Sequence, residues 1–364
     1  MSHVKLPCLV LGVVLILSCS AFGAQARSYA STNYFLTIDA DQCGFPKSVE
    51  GGAITAEVIN EPSGSNYFVK KHIGQPKYQD FQVQVGFDMS RKVGEWIAQS
   101  WSNAPPRVSG SFTTLDDKLQ PVFERQFSGA LLTATTIPAM DGASKEPAYL
   151  TVKFAPEITR TSKPGGKSDY GKYARNEQKV FVPANFKLEI PGLDCSKVNK
   201  IESFTITQTT VTDDIGEARD YQREPGKLEF PNLKITLAES TAPSWLAWHE
   251  DFVVKGNNDE TCEKSGTPTL FSRNLKEVLA QIKFYNMGIF WAQPDQSETN
   301  ADQSRRIQVE LYVERMEFWP EGKAVGPAPK AASNSGTASP PKTTSPMPPR
   351  TPLPSAPKNL KRPG

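Results

Sequence analysis

Residues 34–59 read YFLTIDADQCGFPKSVEGGAITAEVI, and residues 186–211 read FKLEIPGLDCSKVNKIESFTITQTTV. At an offset of 152 the two stretches align without a gap. Leu36, Ile38, Cys43, Glu50, Ile54 and Thr55 fall on Leu188, Ile190, Cys195, Glu202, Ile206 and Thr207. Average composition would supply only about one or two such identities over this length. The same offset carries Phe81, Val83 and Val85 onto Leu233, Ile235 and Leu237, and Trp96 onto Trp248. One register serves every match, so the chain is read as two copies of one folding unit. Duplication of this kind suits rings, tubes and arrays better than catalysis.

Working outward, the dominant pattern is strand. Phe81, Val83, Val85 and Phe87 alternate with Gln82 and Gln84; Leu233, Ile235 and Leu237 alternate with Lys234 and Thr236. Ile54, Ala56 and Val58 alternate with Thr55 and Glu57, and Ile206 sits at the matching place. A period of two with one wet face is the mark of antiparallel sheet. Each unit also carries one helix after its central strand. Val93, Trp96, Ile97 and Trp101 fall at helical spacing behind Asp88 or Ser90 as cap. In the second unit Trp245, Trp248 and Phe252 do so, with Thr241 as cap and Pro243 in the first turn. The fold expected is mainly β with one helix per domain, as two tandem β-barrel or β-sandwich domains.

The 364 residues and net charge of +2 leave room for such domains and give no steering toward nucleic acid. Residues 1–26 join Lys5, an apolar run from Leu9 to Leu17 and the small-x-small end Ala24-Gln25-Ala26. That is the pattern of a secretory signal peptide, too short to prefer a membrane span. The mature chain is therefore expected to begin at Arg27, to lack a transmembrane segment and to be exported: periplasmic, in the cell envelope, or extracellular. Its domains are expected at 27–160 and 181–320, joined by a polar linker at 161–180. Residues 321–364 hold 11 prolines and seven Lys or Arg against one Glu. Such a segment lacks the apolar content to fold and reads as a disordered, basic spacer. Cleavage leaves Cys43, Cys195 and Cys262, an odd number. Cys43 and Cys195 hold equivalent places in separate units and read as small buried hydrophobes rather than a bridge.

Several motifs point to a family. Cys43-Gly44-Phe45-Pro46-Lys47-Ser48-Val49-Glu50-Gly51-Gly52 resembles the Gly-Phe-x-x-Val-x-Gly signature of contractile-phage tail tube proteins. The basic stretch Lys70 to Asp80, running into the strand at Phe81, resembles that family's Pro/Gly-containing loop. The helix with Trp96, a strand from Val122 to Phe127 and a closing strand around Leu150–Phe154 keep the family order. In the second unit Glu224-Pro225-Gly226-Lys227 precedes the strand at Leu233, and Lys283 to Gly288 resembles Arg125 to Gly129; Ser196-Lys197 replaces the early Gly-Phe pair. The resemblance implies a tail-tube-like domain whose strands join neighbours into a continuous inner barrel, related in fold to the ring proteins of type VI secretion. Family members assemble as six-fold rings, so a chain with two such domains is expected to form a homotrimer with pseudo-six-fold symmetry. Envelope or tube-complex proteins are the other partners it implies. A single domain and no export signal are usual in the family, and this chain departs from both.

No catalytic constellation emerges. The mature chain keeps only His72 and His249, at non-equivalent positions, and lacks His-Glu-x-x-His, Gly-x-Ser-x-Gly and Cys-x-x-Cys patterns. Gly165-Gly166-Lys167-Ser168 has the end of a phosphate loop but no strand leading into it and Thr161 in place of its first glycine. Asp39 and Asp41 read as a turn, since Pro191 and Leu193 stand at the matching places. No catalytic, cofactor or metal residues are therefore named, and no enzyme activity is expected. The function expected is a structural protein that self-assembles into a ring or tube. The alternative is a secreted β-sandwich binding module, acting as a monomer on carbohydrate or protein.

Overall fold

Alternation places the strands. Phe81, Val83 and Val85 are buried while Gln82 is exposed, and Leu233, Ile235 and Leu237 are buried in the same way. The computed structural model describes residues 33–62, 69–102, 104–164, 169–174, 179–213, 222–294, 305–323 and 325. Residues 1–26, expected above to be a signal peptide, the run at 165–168 and all but four residues of 321–364 lie outside these. The chain is mainly β, with a nearly closed, barrel-like sheet and few helices.

The first half runs β1 (Asn33–Ile38), β2 (Asp41–Gly44), β3 (Ser48–Gly51), β4 (Ile54–Pro62), β5 (Val69–Tyr78), β6 (Phe81–Val85) and helix α1 (Arg91–Ser100). It continues with β7 (Val108–Leu115), β8 (Pro121–Ile137), the short β9 (Met140–Asp141), β10 (Leu150–Ala155), β11 (Ile158–Ser162) and a single turn, α2 (Gly171–Ala174). The second half runs β12 (Phe181–Glu189), β13 (Val198–Ile201), β14 (Phe204–Asp213), β15 (Gln222–Glu229) and β16 (Leu233–Ala238). After these come α3 (Pro243–His249), β17 (Lys264–Ser272), β18 (Val278–Pro294) and β19 (Arg306–Pro320).

All the pairings are antiparallel, and their order recurs. In the first half β1 lies on β7, β7 on β8, β8 on β10, β10 on β6 and β6 on β3, with β4 on β5. In the second, β12 lies on β17, β17 on β18, β18 on β19, β19 on β16 and β16 on β13, with β14 on β15. Register recurs as well. Val83 faces Val152 as Ile235 faces Val309, and Gly110 faces Phe127 as Gly266 faces Phe284. A bulge sets Thr133 between Leu132 and Ala134 opposite Phe154 and Lys153. Another sets Phe290 between Ile289 and Trp291 opposite Leu311 and Glu310. Just before them Gly129 and Asn286 both take a left-handed conformation, φ 61° and 53°, which asparagine tolerates better than most residues with a Cβ.

The two helices start differently. Ser90 caps α1, its Oγ accepting from the Val93 amide at 3.2 Å. Thr241 does not cap α3: its hydroxyl donates to the Ala238 carbonyl at 3.0 Å in a 3-10 turn at Glu239–Thr241. Ala242 takes the cap position and Pro243 opens the helix, where a residue without an amide proton leaves nothing to satisfy. A π turn at Glu250–Val254 then extends α3. Trp96 packs edge-on to Phe154 at 5.3 Å, and Trp248 edge-on to Phe252 at 6.0 Å. Both indoles are buried in the core.

That core is shared. One hydrophobic cluster runs from Leu36 and Phe81 through Ile137, Met140, Phe181 and Phe204 to Leu311 and Phe318. The first helix leans on the last strand: Trp101 lies 5.6 Å from Phe318, edge to face. Gly94 sits so close to Pro320 that a Cβ there would come within 2.7 Å of the proline. Within the stretch expected as a linker, Tyr170 and Tyr173 pack against Phe35 at 4.9 and 5.2 Å.

Candidate assembly interface

The halves meet along a seam built from backbone upward. The end of β8 extends past β7 and receives β14 on the side away from β10: Phe204 faces Ile137, Thr205 faces Thr136, Ile206 faces Thr135 and Thr207 faces Ala134. The Thr136 and Thr205 hydroxyls lie 2.9 Å apart, and Ser203 Oγ donates to the Ile137 carbonyl at 2.9 Å. A shorter pairing, β9 on β13, extends the joint.

A charge cluster flanks the paired strands. Arg107 reaches Glu224 at 2.7 Å and Glu157 at 3.4 Å, and donates to the Arg223 carbonyl at 2.7 Å. Arg223 approaches Asp80 at 3.5 Å and donates to the Tyr78 carbonyl at 3.2 Å, while its amide donates to Glu157 at 3.1 Å. The Arg223 side chain is only 13% exposed, and a poorly solvated guanidinium needs such partners. Spacing along the sequence gave no sign of this cluster, because its members come from elements far apart in the chain.

Among the described residues the counterparts of the seam strands are open. By pairing order β4 corresponds to β14, yet within those residues β4 pairs with β5 alone, as a two-stranded sheet. Ile54, Val58, Ile59, Val69 and Ile73 on this hairpin are exposed. Likewise β18 corresponds to β8, and among the described residues its segment Gly288–Pro294 pairs with β19 alone. Phe290 stands exposed in its bulge.

No protein-family model matches the chain, and no curated protein matches it. Solved structures do. The chain is similar to one in the sheath–tube complex, in its extended state, of the extracellular contractile injection system PVC, at 15% identity, covering 43% of this chain and 99% of that one, TM-score 0.32. It is similar to a chain of the anti-feeding prophage cap that terminates the tube, at 16% identity over 37% and 88%, TM-score 0.28. It is also similar to a chain of the anti-feeding prophage baseplate, at 12% identity over 37% and 91%, TM-score 0.28.

The residues weighed for chemistry are scattered. His72 is exposed on β5, 3.2 Å from Glu61, and His249 ends α3 half-buried. Asp39 sits in a tight turn with φ 47°, accepting from the Ser109 amide at 3.1 Å and pairing with Lys92 at 3.0 Å. Cys43, Cys195 and Cys262 are free thiols; Cys43 is buried, the others half-buried. Burial pushes the Cys43 thiol above its ordinary value, and the Asp88 carboxyl likewise. Burial, aided by the hydrogen bond to Glu263 at 2.7 Å, raises the Tyr312 phenol. Among the described residues no three His, Cys, Asp or Glu side chains group as a metal site. No described helix is long and apolar enough to cross a membrane.

Proposed function

We propose that the protein is a non-enzymatic structural subunit, a tandem duplication of one tail-tube-like unit, which self-assembles by repeating between chains the seam it carries within itself. One observation carries this reading: β14 lies on β8 inside the chain, while the corresponding strands β4 and β18 keep open edges. Recurrent pairing order, matching bulges and matching left-handed residues support the duplication. An open strand edge beside exposed Val and Ile side chains is a template for another chain. A contact that joins unlike surfaces forms a ring when its rotation closes and a filament when it does not. Three chains supply six units, the count of a pseudo-six-fold ring. The signal-like segment at 1–26 supports export, with assembly in the periplasm, the envelope or outside the cell.

Mass measurement on chain 27–320 at about ten micromolar tests the reading, with negative-stain microscopy beside it. The expected result is a discrete multiple of the chain mass, three for a closed ring, with annular particles. A strict monomer without rings would overturn it and favour the secreted binding module.

A further inference from the structure

The charges around the internal seam are mixed on both sides. The first half brings Arg107, Asp80 and Glu157, the second brings Arg223 and Glu224. Register supplies the residues at the corresponding places on the open edges. Arg223 and Glu224 face Thr212 and Val211; Lys71 and His72 face Asn60 and Ile59 in the same way. Arg107 precedes Val108, which faces Ala130, and Glu263 precedes Lys264, which faces Met287. Glu157 crowds Gly129, and Glu314 accepts from Asn286, the counterpart of Gly129, at 2.8 Å. Asn232 stands where the first half has Asp80.

We propose, resting on the self-assembly inferred above, that the joint between two chains carries a one-way charge code: the basic edge of β5 at Lys71 and His72 docks on the acidic edge at Glu263 and Glu314 of a second copy. Transposed seam pairing sets Ile54 opposite Ala292 and Thr55 opposite Trp291. Lys71 then takes the place of Arg223 beside Glu314, and His72 the place of Glu224 beside Glu263. The receiving edge is prepared for a donor. Glu263 Oε1 already accepts from the Tyr312 hydroxyl at 2.7 Å, and Oε2 has no hydrogen-bond partner among the described residues; it is covered in the single chain, so a donor reaches it as the edge repacks on docking. A buried carboxylate oxygen in that state calls for a donor. Lys71 is exposed, and His72 lies 3.2 Å from Glu61 of its own hairpin. At these positions base on one edge and acid on the other disfavours like-on-like joints, with Glu61 beside His72 and Arg315 beside Glu314 tempering the contrast.

Charge reversal tests the code in the mature chain, with affinity read by sedimentation at low and high salt. Lys71→Glu and Glu314→Lys should each weaken chain-to-chain affinity by about tenfold or more, and the double variant should recover most of the loss. High salt should weaken the wild-type joint. Both side chains are exposed, so the melting temperature of each variant should match wild type. As an independent reading, Ile54→Cys with Ala292→Cys should cross-link between chains on mild oxidation, and Ile54→Cys alone should not. Assembly with unchanged affinity in both single variants, losses that the double variant does not recover, or no cross-link would overturn the code while leaving self-assembly standing. A wild-type chain that stays monomeric would overturn both.

Discussion

Trp96 and Trp248 each insert a whole indole into the core from the apolar face of a helix, and neither indole N–H has an acceptor among the described residues. Their weight is therefore packing. Trp96→Ala should cost about 3–5 kcal/mol, read as a fall in denaturation midpoint; an unchanged midpoint would remove Trp96 from the core. Cys43 gives a pH prediction. Its unfolded thiol titrates near 9.0 and burial raises the folded value, so the unfolded state loses its proton first. The contribution is present below pH 9.0 and declines as pH rises through the folded value. Cys43→Ala should flatten that alkaline decline, and native Cys43 should resist thiol reagents at neutral pH until the chain unfolds. Helical spacing made the tryptophans legible in the sequence. The seam charges were not legible, because Arg107 and Arg223 acquire meaning only once strands far apart in the chain are laid together.

Among the elements, the β4–β5 hairpin stands out. A two-stranded sheet is marginal in water, and this one exposes Ile54, Val58, Ile59, Val69 and Ile73. Its amides should exchange with deuterium fast in the free chain and at least about a hundredfold slower in the assembly. Equal exchange in both states would place the joint elsewhere. At the crossing of β1 and β7, a Cβ on Gly110 would come within 2.1 Å of the Thr37 carbonyl oxygen, whereas one on Gly266 meets Ile190 and Met287 side chains at 2.8 and 2.9 Å. Gly110→Ala should therefore destabilise more than Gly266→Ala, by about 1–3 kcal/mol or more against a smaller loss, in paired denaturation curves. Period-two alternation revealed the strands before the helices in both halves. The start of α3 was misread because Thr241, a good capping residue in isolation, closes a preceding 3-10 turn and Pro243 makes a side-chain cap unnecessary.

For the whole molecule, the offset of 152 holds from β1 through the helix and then lengthens, since Val152 is matched by Val309. The π turn and the loop before β17 account for four of the five extra residues, and the β17–β18 connection for the fifth, which is why residue-by-residue matching faded there while strand pairing kept the correspondence. The polar stretch at 161–180 was legible as a connection but not as the source of Tyr170 and Tyr173, which cover Phe35. Removing β19 should therefore abolish cooperative unfolding throughout the chain rather than in its second half alone, as one calorimetric transition in the intact protein and none in the deletion. The reason is the lean of α1 on Phe318 and Pro320. Synthesis is directional, and Trp101 emerges from the ribosome long before Phe318 does. Until the final strand arrives, Trp101 and Gly94 lack their contacts with Phe318 and Pro320, and contacts so distant along the chain form slowly. On the export proposed above, delay of this kind would be an advantage: it would keep the chain threadable until crossing is complete.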